Sequence, residues 1–459
     1  MLLTGLAAAL RAPWWRSGWT PDEIGNLTPG GAWAVLTDTE NAVNPPLWRL
    51  VASLAGDGGD AIQLGRAVAI ACGVLAVPAA WAVGRRAGGL VAGTVAATGL
   101  AVLPVLVDVG TLHRAYAAWV LAALVVQLGL VAGLGGDRRG WWVAAVGGAF
   151  LAQLHYLAVP VLGLLAFAVG VRQRSWRLAG ALLLPAAVVL LPWADLIVAG
   201  SERRLASPDS PEATVVRLAS LGLQVPPDVV RTINGPLRSL GLEPPTAQRW
   251  TGLAVLAVLV GHLPVLHRLA PARQVAWIGA VGVLAASWVA AHGQYVRPHA
   301  QAHLAAFLVP LLASVGSGIR WGAARAAVAT VVVLALGLRW PAELGRTLTN
   351  LAQRESLPHF ATHMGPLAEG RPIVVHSRFA AGWLYTVVTG RPAAAYDHLG
   401  PCGNARDCYA HGDLVWRGVD ARPPGPCLLA SFERKRPPDL GAGCRALVDT
   451  PGYAVWRCD

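Results

Sequence analysis

Lysine is almost absent from this chain: Lys435 is the only one among 459 residues, so the 37 basic residues are otherwise arginine. Acids are scarce too, with 25 Asp and Glu in all, and charged residues of every kind make up 14%. A soluble enzyme normally carries about a quarter of its residues as charges, so an ordinary soluble globular fold is excluded. No P-loop and no glycine-rich dinucleotide fingerprint is evident, so nothing in the sequence points to a nucleotide-binding site. The formal charge of +12 does not call for nucleic acid, because about a third of the arginine lies in short loops between apolar runs, where it orients membrane helices.

Apolar residues are plentiful, at 55%, and 52 glycines accompany them. Runs long enough to cross a bilayer, about 20 residues each, are read at about 66–84, 88–106, 115–134, 141–154, 156–171, 177–199, 250–266, 275–291, 303–319 and 323–339. Residues 1–12 have no basic leader and no small-residue cleavage site, so they read as the tail of a first spanning helix. The count is about eleven spans. Arg85/Arg86, Arg138/Arg139, Arg172/Arg174/Arg177, Arg268/Arg273 and Arg320/Arg325 fall in alternate connections, which makes those loops cytoplasmic. The N-terminus is then inside, and residues 13–60, 107–114, 200–249, 292–302 and everything after about 340 face outward.

This predicts an all-α polytopic membrane domain over 1–340 and a small outward-facing α/β or α+β domain over 341–459. In the latter, "RPIVVHS", "GWLYTVVTG" and "CLLASFE" are short β-type runs set between Gly/Pro turns, and "LGRTLTNLAQRES" reads as a helix. Five of the six cysteines (Cys402, Cys408, Cys427, Cys444 and Cys458) lie in this tail. An oxidising compartment suits them, which agrees with the arginine-based topology. Cys402 and Cys408, close together in "CGNARDC", are the disulfide candidates; a zinc site is the alternative, although the spacing is not that of a zinc ribbon.

The chemistry-bearing residues gather at outward helix ends. "GWTPDEIGNL" places Asp22 and Glu23 just after the first apolar stretch. Such a pair is either solvated in its loop or faces a cavity as a base or metal ligand. Asp108, His113, Arg114 and Tyr116 follow in "LVDVGTLHRAYAAW", His155 and Tyr156 in "AQLHYLAVP", and Tyr295 and Arg297 in "HGQYVRPHAQAH". Carboxylates supply a base, arginines clamp a phosphate bidentately, and His or Tyr hydrogen-bonds a sugar or phosphate. Each has a plainer alternative: His155/Tyr156 as a polar pair packed between helices, and Arg297 as an anchor at lipid headgroups. The pairs His299/His303 and His359/His363 are spaced i, i+4, either for a metal or as ordinary interfacial histidines. Trp14, Trp15, Trp19, Trp33 and Trp48 suit an interfacial aromatic belt.

"DE" at 22–23, "NPPLW" at 44–48, "HRAYAAWVLAAL" at 113–124 and "HYLAV" at 155–159 come in an order that resembles the GT-C polytopic glycosyltransferases. The likeness is to the branch holding protein O-mannosyltransferases and the lipid A aminoarabinose transferase, and covers roughly residues 5–340. It implies an inverting transferase that moves a hexose or pentose from a polyprenyl-phosphate donor to an acceptor hydroxyl of a glycan, lipid or protein. The work would be done on the outer face of a bacterial cytoplasmic membrane. Asp22 matches the first acid of the family motif, which implies the general base, with Glu23 supporting it and Asp108 a second cavity acid. Arg114 with Tyr116 matches an R-x-Y at a helix start, so Arg114 or Arg297 becomes the donor-phosphate candidate. Some relatives use a lysine there; here that role passes to arginine. A divalent metal stays open, and no other cofactor is implied. The alternative is a transporter or flippase of lipid-linked sugars, disfavoured because the candidates gather on one face whereas alternating access places its site near the midplane.

Overall fold

The computed structural model describes residues 1–16, 47–55, 59–191, 210–221, 234, 246–292 and 301–314, a few positions between 344 and 367, and strand segments from 373 to 459. The chain forms two compact units. One includes Met1–Trp15 and Leu64–Thr347, with Trp48, and the other includes Leu348–Asp459.

The first unit is helical. The described helices, which lie chiefly in it, are α1 (Leu2–Arg11), α2 (Leu47–Ser53), α3 (Gly59–Val102), α4 (Pro104–Val109), α5 (Tyr116–Leu134) and α6 (Arg138–Leu154). α7 (Ala158–Gln173), α8 (Trp176–Leu190), α9 (Pro211–Ala219), α10 (Ala247–Gly261), α11 (Pro271–Ala291) and α12 (Gln301–Ser314) complete them. Among the described residues, three helical segments are long and apolar enough to cross a membrane: Asp60–Val102, Tyr116–Leu134 and Pro271–Ala291. Four shorter apolar helices join them. The run expected at 323–339 lies outside the described residues, as does part of that at 177–199.

The bundle is greasy inside and out, as a helical protein in lipid must be. Trp119, Leu100 and Phe307 are buried, while Trp142 is 74% exposed and Leu90 66% exposed. α3 is not one straight rod. Gly89 has φ 85°, a conformation that suits glycine, and with Gly88 it breaks the helix right after Arg85/Arg86. The two limbs double back on each other: a Cβ on Gly84 would lie 2.7 Å from the Ala92 carbonyl oxygen, and one on Gly93 2.8 Å from that of Trp81. This fold-back separates the runs expected at 66–84 and 88–106.

α5 and α6 pack backbone to backbone. Gly129 and Gly133 on α5 face Gly140 and Ala144 on α6, a small-xxx-small pair on each side. A Cβ on Gly140 would sit 2.4 Å from the Gly133 nitrogen, so the two backbones are in contact. The turn between them is capped by Asp137, whose side chain accepts from the Arg139 amide at 2.9 Å.

The second unit is built on a seven-stranded mixed sheet in the order β3-β4-β2-β1-β5-β7-β6. The strands are β1 (Ile373–His376), β2 (Ala393–Tyr396), β3 (Asp407–His411), β4 (Leu414–Val419), β5 (Cys427–Phe432), β6 (Cys444–Asp449) and β7 (Tyr453–Cys458). β4, β2, β1 and β5 run parallel, and β3, β7 and β6 are added antiparallel. "CLLA" (Cys427–Ala430) is buried at every position, as a central strand covered on both faces requires. Strands stand where "RPIVVHS" and "CLLASFE" were read. The expected strand in "GWLYTVVTG" and most of the expected helix in "LGRTLTNLAQRES" lie outside the described residues.

Candidate functional site

Asp22, Glu23, Tyr295, Arg297, His299 and Cys402 lie outside the described residues, and Cys408 falls in β3. The other site residues stand where α4 ends, α5 begins, α6 ends and α12 begins. Asp108 is half-buried on α4, and its carbonyl accepts from the Thr111 hydroxyl at 2.8 Å and the Thr111 amide at 3.1 Å. That turn delivers His113, Arg114 and then Tyr116, the first residue of α5.

His113 is fully buried and stacks on Trp48, ring centroids 6.0 Å apart. Trp48 is itself only 4% exposed, so it packs inside the unit instead of joining an interfacial belt. The imidazole also abuts Gly65, where a Cβ would fall 1.8 Å from Nδ1. Gly65→Ala is therefore expected to displace His113 and to cost about 1–3 kcal/mol by overpacking. A thermal melt of the detergent-solubilised variant reads this, and an unchanged melt would mean that the ring relaxes without cost.

His155 is the residue after the last turn of α6 and is extended (φ −165°, ψ 134°). Its Nδ1 accepts from the Leu157 amide at 3.1 Å. An amide can only donate, so Nδ1 carries the lone pair and the neutral ring holds its proton on Nε2. The geometry therefore makes His155 a hydrogen-bond donor at Nε2. A metal-bound imidazole instead donates its second N–H to a neighbour, so this arrangement does not fit a ligand to a metal. Among the described residues no three His, Cys, Asp or Glu side chains converge as a metal site would require.

Tyr116, His155, His303 and Trp119 form one cluster. His303 lies 4.6 Å from His155, 4.3 Å from Trp119 and 5.5 Å from Tyr116, centroid to centroid. Tyr116 and His155 are half-buried and form the rim, while His303 and Trp119 are wholly buried beneath; Tyr156, next to His155, is half-buried too. Neither ring nitrogen of His303 has a hydrogen-bond partner among the described residues. Trp119 was not among the site residues read from the sequence, and His303 was read there only as half of an i, i+4 pair with His299, for a metal or at the interface; it is instead wholly buried. His303 had a signal of its own, an ionisable residue opening an apolar run. α12 is pinned here by Gln301, whose amide donates to the Arg217 carbonyl of α9 at 2.9 Å. α9 starts at Ser210, which caps the Ala213 amide at 3.2 Å. Next to it the exposed Glu212 carboxyl is held below its usual range, first by its own backbone amide and then by the Ser210 hydroxyl. A cluster with a fixed N–H donor at its rim and an aromatic floor can hydrogen-bond and stack a polyhydroxylated ring.

Two crystal structures of ArnT from Cupriavidus metallidurans, one bound to undecaprenyl phosphate and one in the apo state, match this chain with TM-score 0.51 at 12% identity. The match covers 99% of this chain and 97% of ArnT. The fold is that of ArnT. ArnT is a lipid A aminoarabinose transferase of the GT-C class, so the resemblance read from "DE", "NPPLW" and "HRAYAAW" holds at the level of the fold. The archaeal oligosaccharyltransferase AglB from Archaeoglobus fulgidus, in complex with an inhibitory peptide and a dolichol-phosphate, gives TM-score 0.46 at 13% identity over 85% of this chain and 63% of its own. No protein-family model and no curated protein matches the chain.

Proposed function

We propose that the chain is an inverting, polyprenyl-phosphate-dependent glycosyltransferase of the cytoplasmic membrane. About eleven spans over 1–340 would carry the site, and the sheet unit over 341–459 would stand on the same outward side. The observation that carries this reading is the end-to-end match to ArnT, whose structure holds undecaprenyl phosphate. The gathering of Tyr116, His155 and His303 at one cluster adds to it.

In the proposed reaction Asp22 takes the proton of the acceptor hydroxyl. The freed oxygen attacks the anomeric carbon from the face opposite the phosphate, the bond from that carbon to the phosphate oxygen breaks, and polyprenyl phosphate leaves. Glu23 supports the base, with Asp108 as a second acid. Arg114 and Arg297 receive the charge that grows on the phosphate, which donors fixed in advance stabilise most in the transition state. Tyr116, Tyr156, His113, His155 and Tyr295 would hold sugar or phosphate oxygens. The polyprenyl tail stays in the bilayer, so no nucleotide site is required.

Native mass spectrometry of detergent-extracted wild type and Asp22→Asn, both expressed in the source cells, tests the reading. The variant is expected to retain a sugar-loaded polyprenyl phosphate that the wild type has turned over, and the added mass identifies the sugar as hexose or pentose. If both carry the same lipid while transfer persists in cells, Asp22 is a solvated loop acid and the chain is better explained as a carrier of lipid-linked sugars.

A further inference from the structure

Arg11 closes α1, is 1% exposed, and was assigned no role from the sequence. Its guanidinium donates from Nη1 to the carbonyls of Ala7 at 3.1 Å and Ala101 at 2.9 Å, and from Nη2 to that of Leu100 at 3.2 Å. The need for those bonds arises far along the chain. The helical partner of the Leu100 carbonyl would be the amide of residue 104, and that residue is Pro104, which has no N–H. The last α3 bond runs from the Leu103 amide to Gly99 at 2.8 Å, after which Leu103 turns extended (ψ 122°) and α4 begins. In an apolar interior, carbonyls left open at a helix end need a donor. Arg11 brings three N–H donations and a positive charge to the C-terminal ends of both α1 and α3, where the helix dipoles favour a cation.

The same side chain also touches the far end of α4. A Cβ on Gly110 would lie 2.7 Å from Arg11 Nε, and one on Gly73 3.0 Å from it, so the guanidinium sits in a slot that only glycine leaves open. Arg11 therefore grips the carbonyls before α4 and abuts the glycine after it. α4 is the six-residue element that carries Asp108 and leads to His113 and Arg114. Among the described residues the partners of Arg11 are backbone carbonyls alone.

We infer that Arg11 is a positioning residue: it brackets α4 and thereby fixes where Asp108 and the His113–Arg114 turn stand. A lysine keeps the charge but has no planar fork to span two successive carbonyls.

The test compares wild type with Arg11→Lys, Arg11→Met and the double variant Arg11→Met/Pro104→Ala, in which residue 104 regains an amide for the Leu100 carbonyl. Three quantities are read: the thermal midpoint, hydrogen exchange along the helices, and affinity for undecaprenyl phosphate in detergent. Arg11→Met is expected to speed exchange at 105–112 by tenfold or more over the rest of the bundle, and Arg11→Lys by less. The double variant is expected to regain the wild-type midpoint yet bind the lipid at least tenfold more weakly, because α3 then runs straight through the break. If exchange at 105–112 rises no more than elsewhere, or if the double variant recovers midpoint and affinity together, Arg11 only satisfies carbonyls and the inference is overturned. Should Arg11→Met not fold, Arg11→Lys alone decides by the same exchange comparison. The lipid arm rests on the transferase reading: if wild type does not bind undecaprenyl phosphate, that reading fails, and exchange at 105–112 still decides the role of Arg11.

Discussion

Gly140→Val is expected to keep the helical unit from assembling. A single Cβ there would lie 2.4 Å from the Gly133 nitrogen and 2.6 Å from the Gly129 carbonyl oxygen, both backbone atoms on α5. Backbone cannot swing aside as a long side chain can, so α5 and α6 must separate along their length. Ordinary overpacking costs about 1–3 kcal/mol because neighbours yield; here nothing yields, and the cost should exceed that range. In lipid no hydrophobic drive pushes the helices back together, since the tails are as apolar as the side chains. Size-exclusion profiles of the detergent-extracted variant should show mostly aggregate, and Gly140→Ala should show a smaller loss in the same direction. A monodisperse Gly140→Val protein with a wild-type melt would mean that the α5–α6 contact is not maintained in the membrane.

His303→Leu is expected to move stability and function in opposite directions. The imidazole is fully buried with neither nitrogen hydrogen-bonded among the described residues. A buried polar group without a partner costs about 1–3 kcal/mol. Leucine has a similar volume and no polar atom, so the variant should melt several degrees higher than wild type. Transfer in cells should fall by roughly tenfold or more, the scale expected for losing one buried hydrogen-bonding group from a site. A lower melt would show that His303 is satisfied in the working protein by water or by a neighbour beyond the described residues. A higher melt with unchanged transfer would remove His303 from the site.

Both predictions bear on what the sequence could reveal. The membrane class, the turn at Arg85/Arg86 and the strand "CLLASF" were legible because each depends on local pattern: apolar length, loop arginines, and an unbroken apolar run. Tyr116 and His155 were legible as polar residues at helix ends, and the structure brings their rings within 6.4 Å. Trp119 gave no signal, because an indole in an apolar helix reads as packing. Arg11 gave none either: two of its three partners lie about ninety residues away, and all three are backbone atoms, which any sequence supplies. β2 was missed because its "AAAY" is mostly alanine, which has little strand preference of its own and is recruited by its neighbours.

The tail cysteines make the same point. Cys444 and Cys458 form a disulfide, a pair that spacing alone did not single out. It is set by register, since β6 and β7 place these residues opposite each other. β7 also places Cys458 opposite Cys427 on β5, a rung that appears only once the strand order is known.

That strand order has a consequence for how the unit is made. β7 is synthesised after β6 yet lies between β6 and β5. While the chain emerges, β5 can join β1 on one side, but its other edge stays bare until residues 453–458 arrive. The strand left open in that interval is "CLLASF", apolar along most of its length, the kind of edge that recruits strands from other chains. A chain truncated before residue 453, whose β5 edge stays uncovered, should therefore show a raised aggregated fraction.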